Sequence, residues 1–280
     1  MKLQSHRYGK ARVRVAKILR HGGVHTIREV TVGAMLEGDF ESSYVAGDNT
    51  KVVPTDTMKN TINVLAKEKL GDEIELFAIA LGQHFLQRYK QVAAATIEIS
   101  EREWQRMQID EKPHPHSFVA GSDAELFTRV VCSHDTQSVV SGVRDLVILK
   151  STGSGFENYP KDEFTTLPET ADRILATSLV AVWTYSVRPD SYRASNEKIM
   201  SAMLKTFATN YSPSAQTTLF EMGTAALETC SEISRIEIAM PNKHYLPIDL
   251  ARFGSENKND VFTPTDEPHG QIEAVVTRDG

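Results

Sequence analysis

The sequence predicts an α+β protein made of two tandem halves, each an antiparallel sheet with its helices on one face. Three observations carry this. Apolar and polar residues alternate at a two-residue period in paired segments, apolar residues recur at helical spacing in the pair of segments that follows, and the whole order runs twice through 280 residues. Strands joined by short links pair antiparallel, and strand pairs alternating with helix pairs place the helices on one side of each sheet.

From Tyr8 to about Ile18, Ala11, Val13 and Val15 alternate with Arg12 and Arg14, and Val30, Val32, Ala34 and Leu36 repeat the pattern, which predicts two strands. Met58, Ile62 and Leu65 then share one helical face, and after the break at Gly71 a second amphipathic helix is marked by Ile74, Phe77, Ala78, Leu81 and Phe85. Ile97 and Ile99 between Glu98 and Ser100, then Leu126 to Cys132, read as two further strands separated by the turn-rich segment KPHPHSFVAGSD.

The second half follows the same order. Val139 to Leu149 and Ile174 to Val187 read as strands, the latter rich in Val, Trp and Tyr. Ile199, Met203 and Phe207 mark a helix, and Leu219, Met222, Ala226 and Cys230 mark another after Pro213. Arg235 and Glu237 alternate with Ile236, Ile238 and Met240, and Ile272, Ala274 and Val276 alternate with Glu273, Val275 and Thr277. The predicted halves are residues 1–136 and 137–280. An antiparallel sheet covered on one side leaves its other face and its edges to be managed, so association of subunits is expected.

Lys and Arg number 31 against 37 Asp and Glu, a formal net charge of -6, which provides no basic surplus for a phosphate backbone; nucleic acid is not an expected partner. No apolar run approaches the roughly 18 residues of a membrane helix, and MKLQSHRYGK lacks the apolar centre of a secretory signal. Cys132 and Cys230 lie far apart with no second cysteine at metal or redox spacing, so both are expected as buried thiols. The terminal VVTRDG is not the Ser-Lys-Leu type of peroxisomal address, and a cytoplasmic location is expected.

Several residues admit both a plain and a chemical role. Thr55 and Asp56 stand where a helix starts and suit N-capping. Ser212 as cap and Pro213 in the first turn would leave the amides of Ser214 and Ala215 free to meet an anion, and Gln216 adds an amide able to read a donor and an acceptor side by side. Arg173 reads as a solvated charge at a sheet edge or as a fork for a planar anion. Lys10 reads as an exposed strand residue or as a lysine exchanging a proton with a neighbouring hydroxyl. Phe156, in the Gly-rich KSTGSGF, reads as core or as a platform for a flat ligand. His114 and His116 read as loop residues, with no third metal ligand nearby in sequence. Asn242 and His244 alternate at a strand end and face the same side, where a polar strand end is an adequate account.

In their order and separations, YGK, VVPTDTMKNTI, KSTGSGF, PETADRILAT, SPSAQTTLFEM and MPNKHYLPIDL resemble the urate oxidase (uricase) family, and the resemblance runs from about His6 through VFTPTDEPHGQIEAVVTR. It implies the tunnelling fold, with tandem ββααββ-type halves assembled by four subunits into a barrel-lined tunnel. It implies oxidation of urate by dioxygen and water to 5-hydroxyisourate and hydrogen peroxide, with no metal and no organic cofactor. Arg173 and Gln216 would grip the urate anion with help from the backbone amide of Ala215, and Phe156 would stack on its ring. The Thr55 hydroxyl and the Asp56 amide would come from the neighbouring subunit. Lys10, Thr55 and His244 would relay protons, and Asn242 with Thr55 would hold dioxygen, then peroxide or water.

Ala215 departs from the family, which usually carries a larger aliphatic residue there; because the contact is through the backbone, binding is expected to survive in a slightly roomier pocket. Two other readings stand beside this one: a catalytically silent urate- or purine-binding oligomer of the same fold, and a related purine or pterin enzyme.

Overall fold

The computed structural model describes residues 1–278; Asp279 and Gly280, the end of the segment read for a targeting address, lie outside the described residues. Among the described residues there are eight strands: β1 (Tyr8–His21), β2 (Val24–Gly38), β3 (Val92–Ile109), β4 (Lys112–Ser133), β5 (Gln137–Lys150), β6 (Leu175–Tyr185), β7 (Ile233–Pro247) and β8 (Phe262–Thr277). Helices α1 (Glu41–Val45), α2 (Thr55–Lys69) and α3 (Ile74–Arg88) follow β2, and α4 (Tyr192–Thr209) and α5 (Ala215–Thr229) follow β6. Hydrogen-bonded neighbours follow chain order from β1 to β8. Short α1 and a 3-10 turn at Ala251–Phe253 carry no amphipathic pattern and were not expected from the sequence.

The chain divides into two compact units, Met1–Val143 with Thr184–Ala194, and Arg144–Trp183 with Ser195–Gly280. In the first, Val32, Leu36, Ile97, Ile99 and Val130 bury one face of β2, β3 and β4 together with Phe77, Leu81 and Phe85 from α3. In the second, Met222, Leu219 and Ala226 of α5 are buried, as are Ile236 and Ile238 of β7. The two units solve close helix-to-strand packing alike. A Cβ at Gly82 of α3 would come within 2.7 Å of Cys132 Sγ, and one at Gly223 of α5 would come within 2.7 Å of Val276 Cγ2. Both cysteines are buried free thiols, and burial raises both pKa values. No helix of the described residues is long and apolar enough to cross a membrane.

The segment KPHPHSFVAGSD is strand β4 and not the expected loop. The reversal is made one step earlier, by Asp110 and Glu111 at φ 49° and 61°, the paired left-handed conformation of a two-residue hairpin turn; with no glycine there, nothing in the sequence signals it. Pro113 and Pro115 cannot donate to a ladder. Arg106 compensates across the hairpin, its Nη1 donating to the carbonyls of His114 and Pro115 at 2.8 and 2.6 Å. His114 and His116 are accordingly strand residues, in edge-to-face contact at 4.6 Å between ring centroids.

Glu101 on β3 pairs with Arg28 on β2 at 2.7 Å, and both side chains are largely buried. Burial pushes the carboxyl up to about 7, against the opposing pull of Arg28. A raised acid holds its proton longer in the folded state than in the unfolded one. Its contribution to stability is therefore fully present below the ordinary value of 4.5 and is lost as pH rises through about 7. Glu101→Gln keeps an acceptor for Arg28 and cannot ionise. The stability of this variant relative to the parent, measured by denaturant unfolding, is expected to improve between pH 5 and pH 8; a flat difference would remove Glu101 as the titrating group.

Candidate functional site

Each unit presents its own group of candidate residues. In the first unit these are Lys10, Thr55 and Asp56. The ladder between β1 and β2 runs Lys10↔Ala34 and then Val13↔Val32, so β1 carries one extra residue, and Arg12 takes up φ 58°. Such a bulge bends the strand and re-aims its side chains. It also breaks the alternation read from the sequence, since Ala11 is exposed while Val13 is buried. Gly9 is obligatory beside it: a Cβ there would lie 1.9 Å from the Ala34 carbonyl oxygen.

Tyr8 ties this strand to the start of α2. Its hydroxyl accepts from the Val53 amide at 2.7 Å and donates to the Val53 carbonyl at 3.3 Å, two residues before Thr55. The ring meets Phe40 edge-on at 4.8 Å, and desolvation raises the phenol's pKa. Sequence reasoning did not assign Tyr8 a role, because its partner lies 45 residues away and no local pattern encodes that contact.

Thr55 and Asp56 are exposed, and neither caps the helix. The N-cap position is Pro54, without a side-chain cap bond, and Thr55 is the first helical residue. The Asp56 carboxylate instead accepts from Lys59 and from Asn60. Lys59 is the main cause of its lowered pKa, and Lys10 adds to the lowering, so Lys10 lies within electrostatic reach of the first turn of α2. The capping account offered by the sequence fails here, which leaves the Thr55 hydroxyl and the first-turn amides for another partner.

In the second unit, three segments are laced by backbone bonds. Gly155 N–H donates to the Ser212 carbonyl at 2.8 Å and Ser212 N–H to that of Gly153 at 2.9 Å. Phe156 and Thr170 exchange bonds of 2.7 and 3.1 Å, and Arg173 N–H donates to the Ser154 carbonyl at 2.7 Å. Phe156, Arg173 and the start of α5 are thereby held by one framework. A Cβ at Gly155 would lie 2.3 Å from the Tyr211 hydroxyl and 3.0 Å from the Thr170 carbonyl oxygen, a close approach that favours glycine.

The cap of α5 is Ser214 and not Ser212; its side chain accepts from Thr217 N–H at 3.1 Å. Ser212 is fully buried and works behind the cap, sharing hydrogen bonds with Thr218 and with the Ser214 carbonyl. The amides of Ala215 and Gln216 are then the leading donors of a 15-residue helix, at its positive end. The shift of two residues relative to the sequence reading places Pro213 before the cap instead of after it. Gln216 is exposed while Ala215 is buried at 5% exposure, so at position 215 only the backbone is offered.

Arg173 is half-buried, which sets aside the solvated-edge account. Its Cζ lies 5.2 Å from the Phe156 ring centroid, and its Nε is buried with no hydrogen-bond partner among the described residues. Desolvation lowers its pKa. Phe156 is half-buried and stacks on Tyr159 at 4.7 Å and 14°. A half-buried guanidinium, a half-buried aromatic ring and helix-end amides in one framework suit a flat anion.

Asn242 and His244 lie on β7, opposite Gly270 and Thr265 of β8. The irregularity between them falls on β8, where the partner advances five residues against two, so β7 keeps its own alternation and both residues stay on one face. Lys243 between them pairs with Asp266 at 2.6 Å. Among the described residues, no group of three or more His, Cys, Asp or Glu is placed to hold a metal ion.

Comparison with known proteins gives a consistent result. A family model described as Uricase matches residues 6–131 and 139–273. The uricase of Arthrobacter globiformis is 39% identical over 279 residues, spanning 99% of this chain and 90% of that protein. The uricase of Arabidopsis thaliana is 42% identical over 293 residues, spanning 97% and 94%. The crystal structure of the Arthrobacter globiformis uricase is similar with a TM-score of 0.94 at 38% identity, covering 100% of this chain and 96% of that one.

Tyr8→Phe leaves the ring and removes the hydroxyl that bonds both backbone groups of Val53. Stability is expected to fall by about 1–3 kcal/mol because the Val53 amide loses its acceptor. Urea unfolding measures this, and a change below about 0.3 kcal/mol would show that the tie is not sustained in solution.

Proposed function

The chain belongs to the uricase family and oxidises urate, and on that premise we propose how its residues divide the work. The fold is the tunnelling fold, matching that of the uricase crystal structure. The reaction takes urate, dioxygen and water to 5-hydroxyisourate and hydrogen peroxide. Two electrons leave urate for dioxygen, which gains two protons, and the hydroxyl of water is added to the purine carbon.

Arg173 and the Gln216 side chain grip the oxygens and ring nitrogens of the urate anion, the Ala215 amide adds a donor, and Phe156 stacks on the ring. The observation that carries this assignment is the buried Nε of Arg173, without a partner among the described residues and held beside Phe156 and the start of α5 by one backbone framework. Lys10, Thr55 and His244 relay protons, and Asn242 with Thr55 holds dioxygen, then peroxide or water. The Asp56 amide meets the other edge of the purine. Urate already delocalises negative charge, so a cation and a helix N-terminus that stabilise a more electron-rich dianion promote electron transfer to dioxygen. The donor set is suited to charge stabilisation and proton movement, and on this reading neither metal nor organic cofactor takes part.

Thr55 and Asp56 reach the urate-gripping residues of a neighbouring subunit, so that four sites lie at the interfaces of a homotetramer whose subunits each consist of halves 1–136 and 137–280. The electrostatic reach of Lys10 to Asp56 supports Lys10 arriving with them from the same subunit.

Lys10→Ala and Thr55→Ala are expected to lower kcat about 10²–10⁴-fold while urate binding changes little. Arg173→Ala is expected to raise KM at least about tenfold, as loss of one partner of a charge-assisted contact does. Steady-state kinetics checks both, and full turnover by Lys10→Ala would end the relay assignment. If the site is shared, co-refolded Thr55→Ala and Arg173→Ala subunits regain activity that neither has alone; two silent variants that stay silent when mixed would place each site within one subunit.

A further inference from the structure

We propose that Asp172 is a positioning residue for urate binding, fixing Arg173 against Phe156 through the loop that carries Phe156. The proposal rests on the reading of Arg173 as the anion-gripping residue. It starts from an imbalance in the framework of the second unit. Arg173 is attached to the Ser154 segment by its own backbone amide, at 2.7 Å, and its Nε is without a partner among the described residues. The guanidinium therefore takes its position from the segment that bears it and from how firmly that segment is held to residues 152–156.

Asp172, one residue before, supplies that hold with its side chain. Thr152 Oγ1 donates to both carboxylate oxygens at 2.9 Å, and Gly153 N–H donates to Oδ1 at 2.9 Å. These are charge-assisted bonds, stronger than neutral ones. The Asp172 carbonyl in turn accepts from Thr170 Oγ1 at 2.7 Å, and Thr170 is the residue whose backbone is paired with Phe156. Gly153 lies at φ 73°, where a carboxylate bond to its amide stabilises the turn that delivers Ser154 and Gly155 to Ser212. Tyr211 closes the other side, its hydroxyl donating to the Ala171 carbonyl at 3.0 Å. Asp172 thus joins the loop that carries Phe156 to the strand entry that carries Arg173, and it does so without facing the ligand itself. In the sequence it is the residue before Arg173 in DRIL.

The test compares Asp172→Ala, Asp172→Asn and Thr152→Val, each as the full chain, by anaerobic urate binding and by kinetics with dioxygen. Asp172→Ala is expected to weaken urate binding about tenfold and raise KM in parallel, with kcat at saturating urate within about twofold of the parent. Asp172→Asn keeps an oxygen for Thr152 and Gly153 and is expected to recover most of the loss. Thr152→Val removes a donor from the other side and is expected to weaken binding in the same direction, and it stands in if Asp172→Ala does not fold. Binding by Asp172→Ala equal to the parent, no rescue by Asp172→Asn, or a fall in kcat with KM unchanged would each overturn the proposal. Arg173→Ala separates the two levels: if it binds urate normally, the anion-gripping reading fails, whereas if it loses binding while Asp172→Ala does not, only the positioning role fails.

Discussion

A guanidinium half withdrawn from water sets the demands on the second unit. Arg173 Nε is buried without a partner among the described residues, and desolvation lowers the pKa of the group. A buried donor left unpaired costs on the order of 1–3 kcal/mol, more when charged, and is kept only where the surroundings prevent its relaxation. Those surroundings are specific. The Arg173 amide is bound to Ser154, the Phe156 and Thr170 backbones bind each other, and Ser212 is bound to Gly153 and Gly155. On the proposed reading, an anion held by this guanidinium offsets part of that cost. The helix that begins at Ala215 points its positive end with the same sign.

The first unit meets a different demand with similar means. Lys10 and Thr55 are 45 residues apart and belong to a strand and a helix start, neither of which determines the position of the other. Tyr8 bridges the two with a pair of bonds to Val53, the bulge at Arg12 re-aims the strand, and the absent Cβ of Gly9 lets the strand come against Ala34. In both units, much of the geometry is secured by residues that have no assigned chemical role. Neighbours without a chemical role hold them in place, which is how preorganisation is achieved at modest cost in flexibility.

The element pattern was largely legible in the sequence because half-buried strands and amphipathic helices write their burial as periods of two and 3.6 residues. Where the structure departs, a local device overrides the period. The Asp110 and Glu111 turn lacks glycine, so the continuous strand through His114 and His116 reads as a loop. The bulge takes Ala11 out of register with Val13. Caps were less legible: Pro54 and Ser214 hold the positions assigned to Thr55 and Ser212, because a proline beside a helix start suits the cap and the first turn almost equally. Tyr8 was invisible, since its contact is long-range and hydrogen bonds of that kind leave no periodic trace. The candidate site residues were found through the spacing of six motifs, and their roles came from a resemblance that physics alone did not supply.

The central claim is that charge stabilisation by Arg173 and the α5 N-terminus, with proton movement through Lys10 and Thr55, suffices for electron transfer from urate to dioxygen. The most direct test follows urate absorbance, dioxygen uptake and peroxide in one cuvette with metal-stripped protein. Urate loss matched one-to-one by dioxygen consumed and peroxide formed, unchanged by added chelator or by added metal, is the predicted result. Bound urate that is not oxidised until a metal or organic cofactor is restored would contradict it.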